Sequence, residues 1–402
     1  MVSRGVVPVG KGTGGAELVA FALSENLATR GDDVVLVSDV DDAMLADSPT
    51  GMSIVPVNAY RGAGRLVRLI PFDFPRWLVQ HLFGNVRAAR RARALLMTDA
   101  EGFDVVHSHG ALATILLHRG LVARGLKVPL VYTEHDSTPW TCRYRGRIEG
   151  LVRRCIYQQL NLRACRAANA VVINFPSFAR ELADRSGLPA SHFVTVRNGA
   201  NASSLGPTTT FSSVATRSGR YVIFVGSLIE RKGPDVLVRA LSRVGLGCVL
   251  IGDGPMRASL ERLVSRSGLD ERVVFLGALN HNEVQGYYAG AEALVLPSVS
   301  ETMSLVVVEA LRAGVPVVAS NLGGIASVIR HGVNGLLVTP GDETSLADAL
   351  ARLEGDEGLV RVLRRGAVES ARNVLTWSAV TGHLRSVYEG HQSVAALGAL
   401  SA

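Results

Sequence analysis

The chain has 402 residues, 48% of them hydrophobic, and a mean hydropathy of +0.24, which excludes a disordered chain and exceeds what one ordinary core accommodates. No apolar run reaches the roughly 18–20 residues of a membrane-spanning helix, and the N-terminus lacks the long apolar core of a signal peptide. The net charge of +7 sits wholly in the first half, where 24 Lys+Arg face 17 Asp+Glu; residues 201–402 hold 18 of each. An anionic partner for the first half is one reading of that asymmetry, and Arg-rich helices that are merely soluble are the other. Cys142, Cys155, Cys165 and Cys248 show no CxxC spacing, which argues against a disulfide framework or metal cluster and makes a reduced, cytoplasmic protein the default.

Short β-branched runs alternate with amphipathic periods along the whole chain. Strands are expected at 33–39, 53–57, 104–109, 129–135, 170–174 and 193–198, then at 221–226, 248–252, 272–277, 293–297, 315–320 and 335–340. Helices fit between them, for example Glu17–Ala28 and Asp235–Val244. Continuous apolar strands separated by helices predict parallel sheets covered on both faces, and there are two such series. The Ser-, Thr- and Gly-rich stretch 201–220 reads as the connection between them. The expected fold class is therefore α/β, two doubly wound parallel-sheet domains in tandem facing a central cleft. Only MVS and GVVPV remain to build a first strand, so the reading is either a short, edge-like β1 or a reading frame that begins too late.

In doubly wound sheets, chemistry belongs to the loops that follow strands. The first such loop holds Gly12, Gly14 and Gly15 ahead of a helix, where backbone N–H groups can approach a phosphate, although GTGG is more often only a turn. DVVHSHG sets His107 and His109 on one face of a strand end, and YTEHD adds Glu134, His135 and Asp136 at the next. FVGSLIERKG offers Gly226, Ser227, Arg231 and Lys232, a cation pair suited to a diphosphate or simply solvated. IGDGP follows another strand, with Gly252 and Gly254 permitting close approach and Asp253 free to cap the turn or bind a ligand.

PSVSETMSLVVVEALRAGVPVVAS carries two acids, Glu301 and Glu309. Gly314 suits a helix C-terminus and VPVVAS a following strand, so SLVVVEALRAG is expected to be a buried helix despite its three consecutive valines. At helical rise the two acids stand about 12 Å apart, and less if the segment opens as a loop, enough for different parts of one elongated ligand. A buried carboxylate at 309 needs hydrogen-bond donors, which a ribose diol supplies. The plainer reading has Glu301 capping a helix and Glu309 pairing with an Arg.

From about Gly10 to about Tyr388 the chain resembles glycosyltransferase family 4. The resemblance rests on GTGGAE, DVVHSHG, VRNGAN, FVGSLIERKGPDVLVRAL, IGDGP and the Glu301–Glu309 segment in that order. It implies a GT-B fold and a retaining, metal-independent transfer of a hexose-type sugar from a nucleotide-diphosphate sugar. The implied acceptor is lipid-linked or a growing glycan, in cell-surface polysaccharide or glycolipid synthesis. By position, Glu309 grips the ribose, Glu301 the sugar hydroxyls and Lys232 the diphosphate, with Gly15, Gly226, Ser227, Arg231, Gly252, Asp253, Gly254, Ser304 and Leu305 also on the donor. His109 lines the reacting face, and Gly14, His107, His135 and Asn198 lie on the acceptor side. The implied domains are an acceptor-side domain at 1–200, a linker at 201–219 and a nucleotide-sugar domain at 220–375. A helix at 376–390 then packs back toward the first domain, and 391–402 form a flexible tail. Two departures stand out: Ser227 occupies a place where the family usually has Arg, and Thr302, Met303 and Ser304 replace Gly-Phe-Gly.

Residues 61–96 mix eight Arg with Phe72, Phe74, Trp77 and Phe83, which suits an anionic membrane surface at the inner face of the cell membrane, extended by Arg143, Arg145, Arg147, Arg153 and Arg154, or equally a packed helix with a solvated face. No nucleic-acid recognition motif is present. Among other classes, a dinucleotide-dependent oxidoreductase fits Gly10, Gly12 and Gly15, but Asp39 falls beyond the window for its ribose-binding acid. A phosphorylase- or epimerase-like GT-B protein, or a non-catalytic nucleotide-binding module, remains the alternative.

Overall fold

The computed structural model describes residues 5–9, 15–38, 51–56, 86–87, 89–96, 103–135, 147–200, 219–279, 281–373 and 376–390. Gly10, Gly12, Gly14, Asp39, Asp136, Arg143, Arg145, the aromatic residues of segment 61–96, the connection 201–218 and the tail 391–402 lie outside them. The chain divides into two compact units, Met1–Arg197 with Trp377–Ala402, and Asn198–Thr376.

In the second unit the strands are β8 (Tyr221–Val225), β9 (Gly247–Ile251), β10 (Val273–Gly277), β11 (Leu294–Leu296), β12 (Val317–Ser320) and β13 (Gly335–Val338). They pair in parallel in the order β10-β9-β8-β11-β12-β13. Numbered within the unit this is 3-2-1-4-5-6, the doubly wound order whose direction of winding reverses between β8 and β11. Both β8 and β9 are buried along their whole length, which is why they read as unbroken apolar runs rather than alternating ones.

The helix Leu305–Arg312 forms across the three valines because it buries Val307, Val308, Ala310 and Leu311. Full burial of an aliphatic side chain contributes about 1.5–3 kcal/mol, against a few tenths lost to β-branching. Gly314, at φ 73°, then turns the chain toward β12. The helix after Lys232 runs Pro234–Leu241, shorter than its periodicity predicts, and stops ahead of Gly245 and Gly247 as the chain enters β9.

Two glycines let the strand-end loops approach one another. A Cβ at Gly252 (φ 136°) would lie 2.0 Å from the Gly226 carbonyl oxygen, and one at Gly233 (φ 66°) 2.2 Å from that of Pro297. No side chain fits at either position, so glycine there sets the spacing of the loops that follow β8, β9 and β11.

The first unit holds β1 (Gly5–Val9), β2 (Val34–Ser38) and β3 (Met52–Pro56), then β4 (Val106–Ser108), β5 (Leu130–Glu134), β6 (Ala170–Ile173) and β7 (Phe193–Thr195), all parallel. β1 pairs with β2 and runs beside β4. The short, edge-like β1 is thus as expected: it stands at the end of the three-stranded sheet β1-β2-β3, and β2 is its one paired strand among the described residues.

The helix Trp377–Gly390 belongs to this first unit and packs on the helix Gly15–Thr29. Arg385 meets the buried Asp32 carboxylate at 3.4 Å, one of the ties that hold it there. No described helix is long and apolar enough to cross a membrane.

Candidate active site

At the reversal point of the second sheet, the loops after β8 and β11 bring three charged groups together. Lys232 donates to Glu301 Oε2, and Arg231 lies 3.9 Å from Glu301 Oε1 while donating to the Ser300 carbonyl at 3.3 Å. The backbone is stitched alongside, with Val299 N–H donating to the Arg231 carbonyl at 2.9 Å. Ser298, fully buried, adds a hydroxyl 3.4 Å from the same Glu301 oxygen. Glu301 itself is only 9% exposed. A carboxylate removed from water to that degree requires compensation, and the two cations and the Ser298 hydroxyl supply it.

This corrects the burial expected along the segment. The acid taken out of water is Glu301, whereas Glu309 is half-buried. Helical structure begins only at Leu305, so residues 301–304 run as a loop and the two acids do not share one helical rise. Glu309 faces the buried Tyr288, whose hydroxyl is pushed well up in pKa first by burial and then by the Glu309 carboxylate. Ser304 is the N-cap of the helix, and its side chain makes no capping bond. The first-turn N–H groups at Leu305 therefore remain suited to an anion.

The other donor-side residues are placed around these. Gly226, just after β8, has a positive φ of 151°, a conformation that favours glycine, and Ser227 beside it is exposed. Asp253 spends its carboxylate on its own turn, accepting from Gly254 N–H at 2.7 Å. Of the two roles open to Asp253, the structure thus displays capping. A Cβ at Gly254 would strike the Leu228 backbone at 2.6 Å, which holds that turn against the loop after β8.

In the first unit, the histidines at the ends of β4 and β5 form a row. His107 and His109 rings stand 4.4 Å apart between centroids, and His109 and His135 stack at 4.9 Å. His109 Nδ1 and His135 Nε2 share a hydrogen bond of 2.6 Å. His109 Nε2 is buried without a partner among the described residues. His107 differs: Nδ1 meets the Tyr388 hydroxyl at 2.7 Å and Nε2 the Thr133 hydroxyl at 2.6 Å. Both of its ring nitrogens are spent on the protein, so it keeps none for an acceptor, contrary to its expected place there. Asn198 is buried just after β7. Gly15 opens the helix Gly15–Thr29.

Burial pushes all three histidines down. His107 falls to about 3, through burial and then the neighbouring His135; His135 falls to about 4 through burial; His109 drops well below the usual range through burial, then His107 and His135. All three rings are neutral at pH 7, which makes His109 a hydrogen-bonding group rather than a cation. Because the folded state binds fewer protons than the unfolded chain, their contribution to stability is fully present above about pH 6.5. It is lost as pH falls from there through about 4 and 3. Thermal melts are expected to decline steeply over that window, and His107→Gln to flatten the decline; a melting temperature constant from pH 7 to 4 would contradict the neutral cluster.

Residues 13–204 match the profile described as Glycosyltransferase Family 4, and residues 219–356 match that of Glycosyl transferases group 1. A D-inositol 3-phosphate glycosyltransferase from Acidothermus cellulolyticus is 31% identical over 384 residues, covering 89% of this chain and 82% of the relative. The chain belongs to glycosyltransferase family 4. Its fold is GT-B, shared with sucrose-phosphate synthase from Thermosynechococcus elongatus at a TM-score of 0.78 and 20% identity, covering 98% of this chain and 100% of that one. HepE of Anabaena, solved with UDP and glucose, aligns at a TM-score of 0.73 and 20% identity over 97% and 100% of the two chains.

In this family 4 chain, sequence reasoning named both acids, both cations and all three histidines, and missed how they pair. Ser298, Thr133 and Tyr388 escaped it. Ser298 carries the only local signal, as a polar residue directly after an apolar strand; Thr133 alternates unremarkably within β5, and Tyr388 lies in a helix far from any motif.

Proposed function

We propose that the protein transfers a hexose from a uridine diphosphate sugar to an anionic hydroxyl acceptor with retention at the anomeric carbon. The observation that carries this reading is the Lys232–Glu301–Arg231 cluster at the reversal point of the second sheet, where nucleotides bind in doubly wound folds. Glu301 engages both cations. An arriving diphosphate takes Lys232 and Arg231, and the released carboxylate turns to the sugar hydroxyls. Glu309 holds the ribose diol, and the N–H groups at Ser304 and Leu305 hold phosphate oxygens. As the bond from the sugar to the diphosphate breaks, negative charge collects on the leaving group, where Lys232 stabilises it. The acceptor oxygen bonds to the same face of the sugar and its proton passes to the departing diphosphate. The cations supply the positive charge in this scheme, which assigns no role to a metal. In the first unit, His109 offers its open Nε2 to a hydroxyl, which can both donate and accept.

Uridine diphosphate and glucose are supported as donor parts by the HepE complex. A phosphorylated cyclitol is the first acceptor to try, supported by the name of the Acidothermus relative and by the excess positive charge of residues 1–200. A lipid-linked saccharide at an anionic membrane surface is the second, suggested by the Arg-rich segment. Calorimetric titration of UDP, GDP and ADP, followed by incubation of UDP-glucose with D-inositol 3-phosphate, tests the reading. UDP is expected to bind tightest and the product to carry an α-linkage by proton NMR. Absence of binding by any of the three nucleotides would overturn it.

A further inference from the structure

We infer that Tyr388, on the C-terminal helix, is a positioning residue for His109, acting through the ring of His107; the inference rests on the proposed role of His109 as a hydroxyl-binding group. The four rings form one continuous row within the first unit. Tyr388 Oη is 2.7 Å from His107 Nδ1, the His107 ring centroid is 4.4 Å from that of His109, and His109 Nδ1 is 2.6 Å from His135 Nε2. His107 is held at its other nitrogen by Thr133 at 2.6 Å, so two hydroxyls from separate elements fix its ring plane. Tyr388 also packs edge-on against it, at 5.7 Å and 76°.

Among the described residues, His109 has one direct polar tie, to His135, and its other nitrogen is the open one. A single hydrogen bond leaves a ring free to rock about that bond. The His107 ring, 4.4 Å away between centroids and tilted by 32°, restricts this rocking. A neutral His107 has one N–H and one lone pair, so one of its hydroxyl partners donates while the other accepts. Burial, and then the Asp32 carboxylate, raise the pKa of the Tyr388 phenol and keep its proton in place for this pairing. The helix Trp377–Gly390 has a second tie that bypasses the rings, Arg385 to Asp32 at 3.4 Å. The two ties allow helix docking and ring positioning to be separated.

Tyr388→Phe and Thr133→Val each remove one hydroxyl from His107, and Arg385→Gln removes a separate tie of the helix. The full chain with isotope-labelled histidine is used, and folding is checked by circular dichroism. The His109 ring resonances are expected to move in Tyr388→Phe and in Thr133→Val and to hold in Arg385→Gln. Release of UDP from UDP-glucose is expected to fall about ten- to a hundredfold in kcat in the first two, with KM within about twofold. Unchanged His109 resonances and kcat in folded Tyr388→Phe, or an equal loss in Arg385→Gln, would overturn the inference. Should Tyr388→Phe fail to fold, Thr133→Val decides by the same two measurements. If the unmodified protein releases no UDP from UDP-glucose, the donor reading fails, and the ring resonances still decide the role of Tyr388.

Discussion

Lys232→Ala is expected to lower turnover of the UDP sugar by about a hundred- to a thousandfold, the effect of removing a charge-stabilising donor from a leaving group. It is also expected to destabilise the second unit. Lys232 and Glu301 have side chains 15% and 8% exposed, so truncating the cation leaves a carboxylate with little water to replace it. Breaking such a buried pair from one side costs about 3–5 kcal/mol. The loss should fall at the lower end of that range, because Arg231 remains 3.9 Å away and Ser298 still reaches the carboxylate. The two effects separate in Lys232→Ala/Glu301→Gln, where the uncompensated charge is gone. Melting temperature is expected to recover in the double variant and turnover to stay lost. Near-native kcat in Lys232→Ala would remove Lys232 from the diphosphate.

Glu309→Gln is expected to weaken UDP binding by more than about a hundredfold. A ribose diol donates two hydrogen bonds to one carboxylate, and hydrogen bonds to charged groups contribute about 1.5–3 kcal/mol each. The neutral amide accepts less strongly and turns a donor toward one of the two hydroxyls. Fold stability is expected to change by less than about 1 kcal/mol, because Glu309 is half-buried and sits at the edge of the helix Leu305–Arg312 rather than in its core. Removing the carboxylate should also let the Tyr288 phenol titrate lower, since Glu309 adds to what burial does there. Calorimetry with UDP reads the binding and thermal melts read the stability. Binding within about twofold of native would mean that the ribose is held elsewhere.

The contrast between the two variants follows from burial, which the pattern of residues alone misassigned. SLVVVEAL reads as a core helix, and its apolar positions do enter the core. Because the helix begins only at Leu305, Glu309 comes round to its margin, and the loop before it carries Glu301 inward against Lys232. A loop cannot be phased by helical periodicity, so nothing in the order of residues indicated which acid would be desolvated.

The same limit applies to the histidines. Period-2 alternation correctly set His107 and His109 on one face of β4, and their rings do lie side by side. It could not distinguish them, because the difference comes from Tyr388, 281 positions away along the chain.

What the sequence by itself determined is the inventory: every predicted strand, the glycines at strand ends, the helix across three valines, and the family-wide order of motifs. These are local properties, decided by side-chain periodicity, by backbone conformations open only to glycine, and by the apolar area each element must bury. The tertiary structure alone decided that the sheet of the second unit winds outward in both directions from β8, in the order β10-β9-β8-β11-β12-β13. It also decided that Glu301 rather than Glu309 is buried, and that a C-terminal tyrosine holds a histidine of the first unit. Each of those depends on contacts between residues far apart in the chain, where hydrogen-bond geometry and desolvation act and periodicity carries no information.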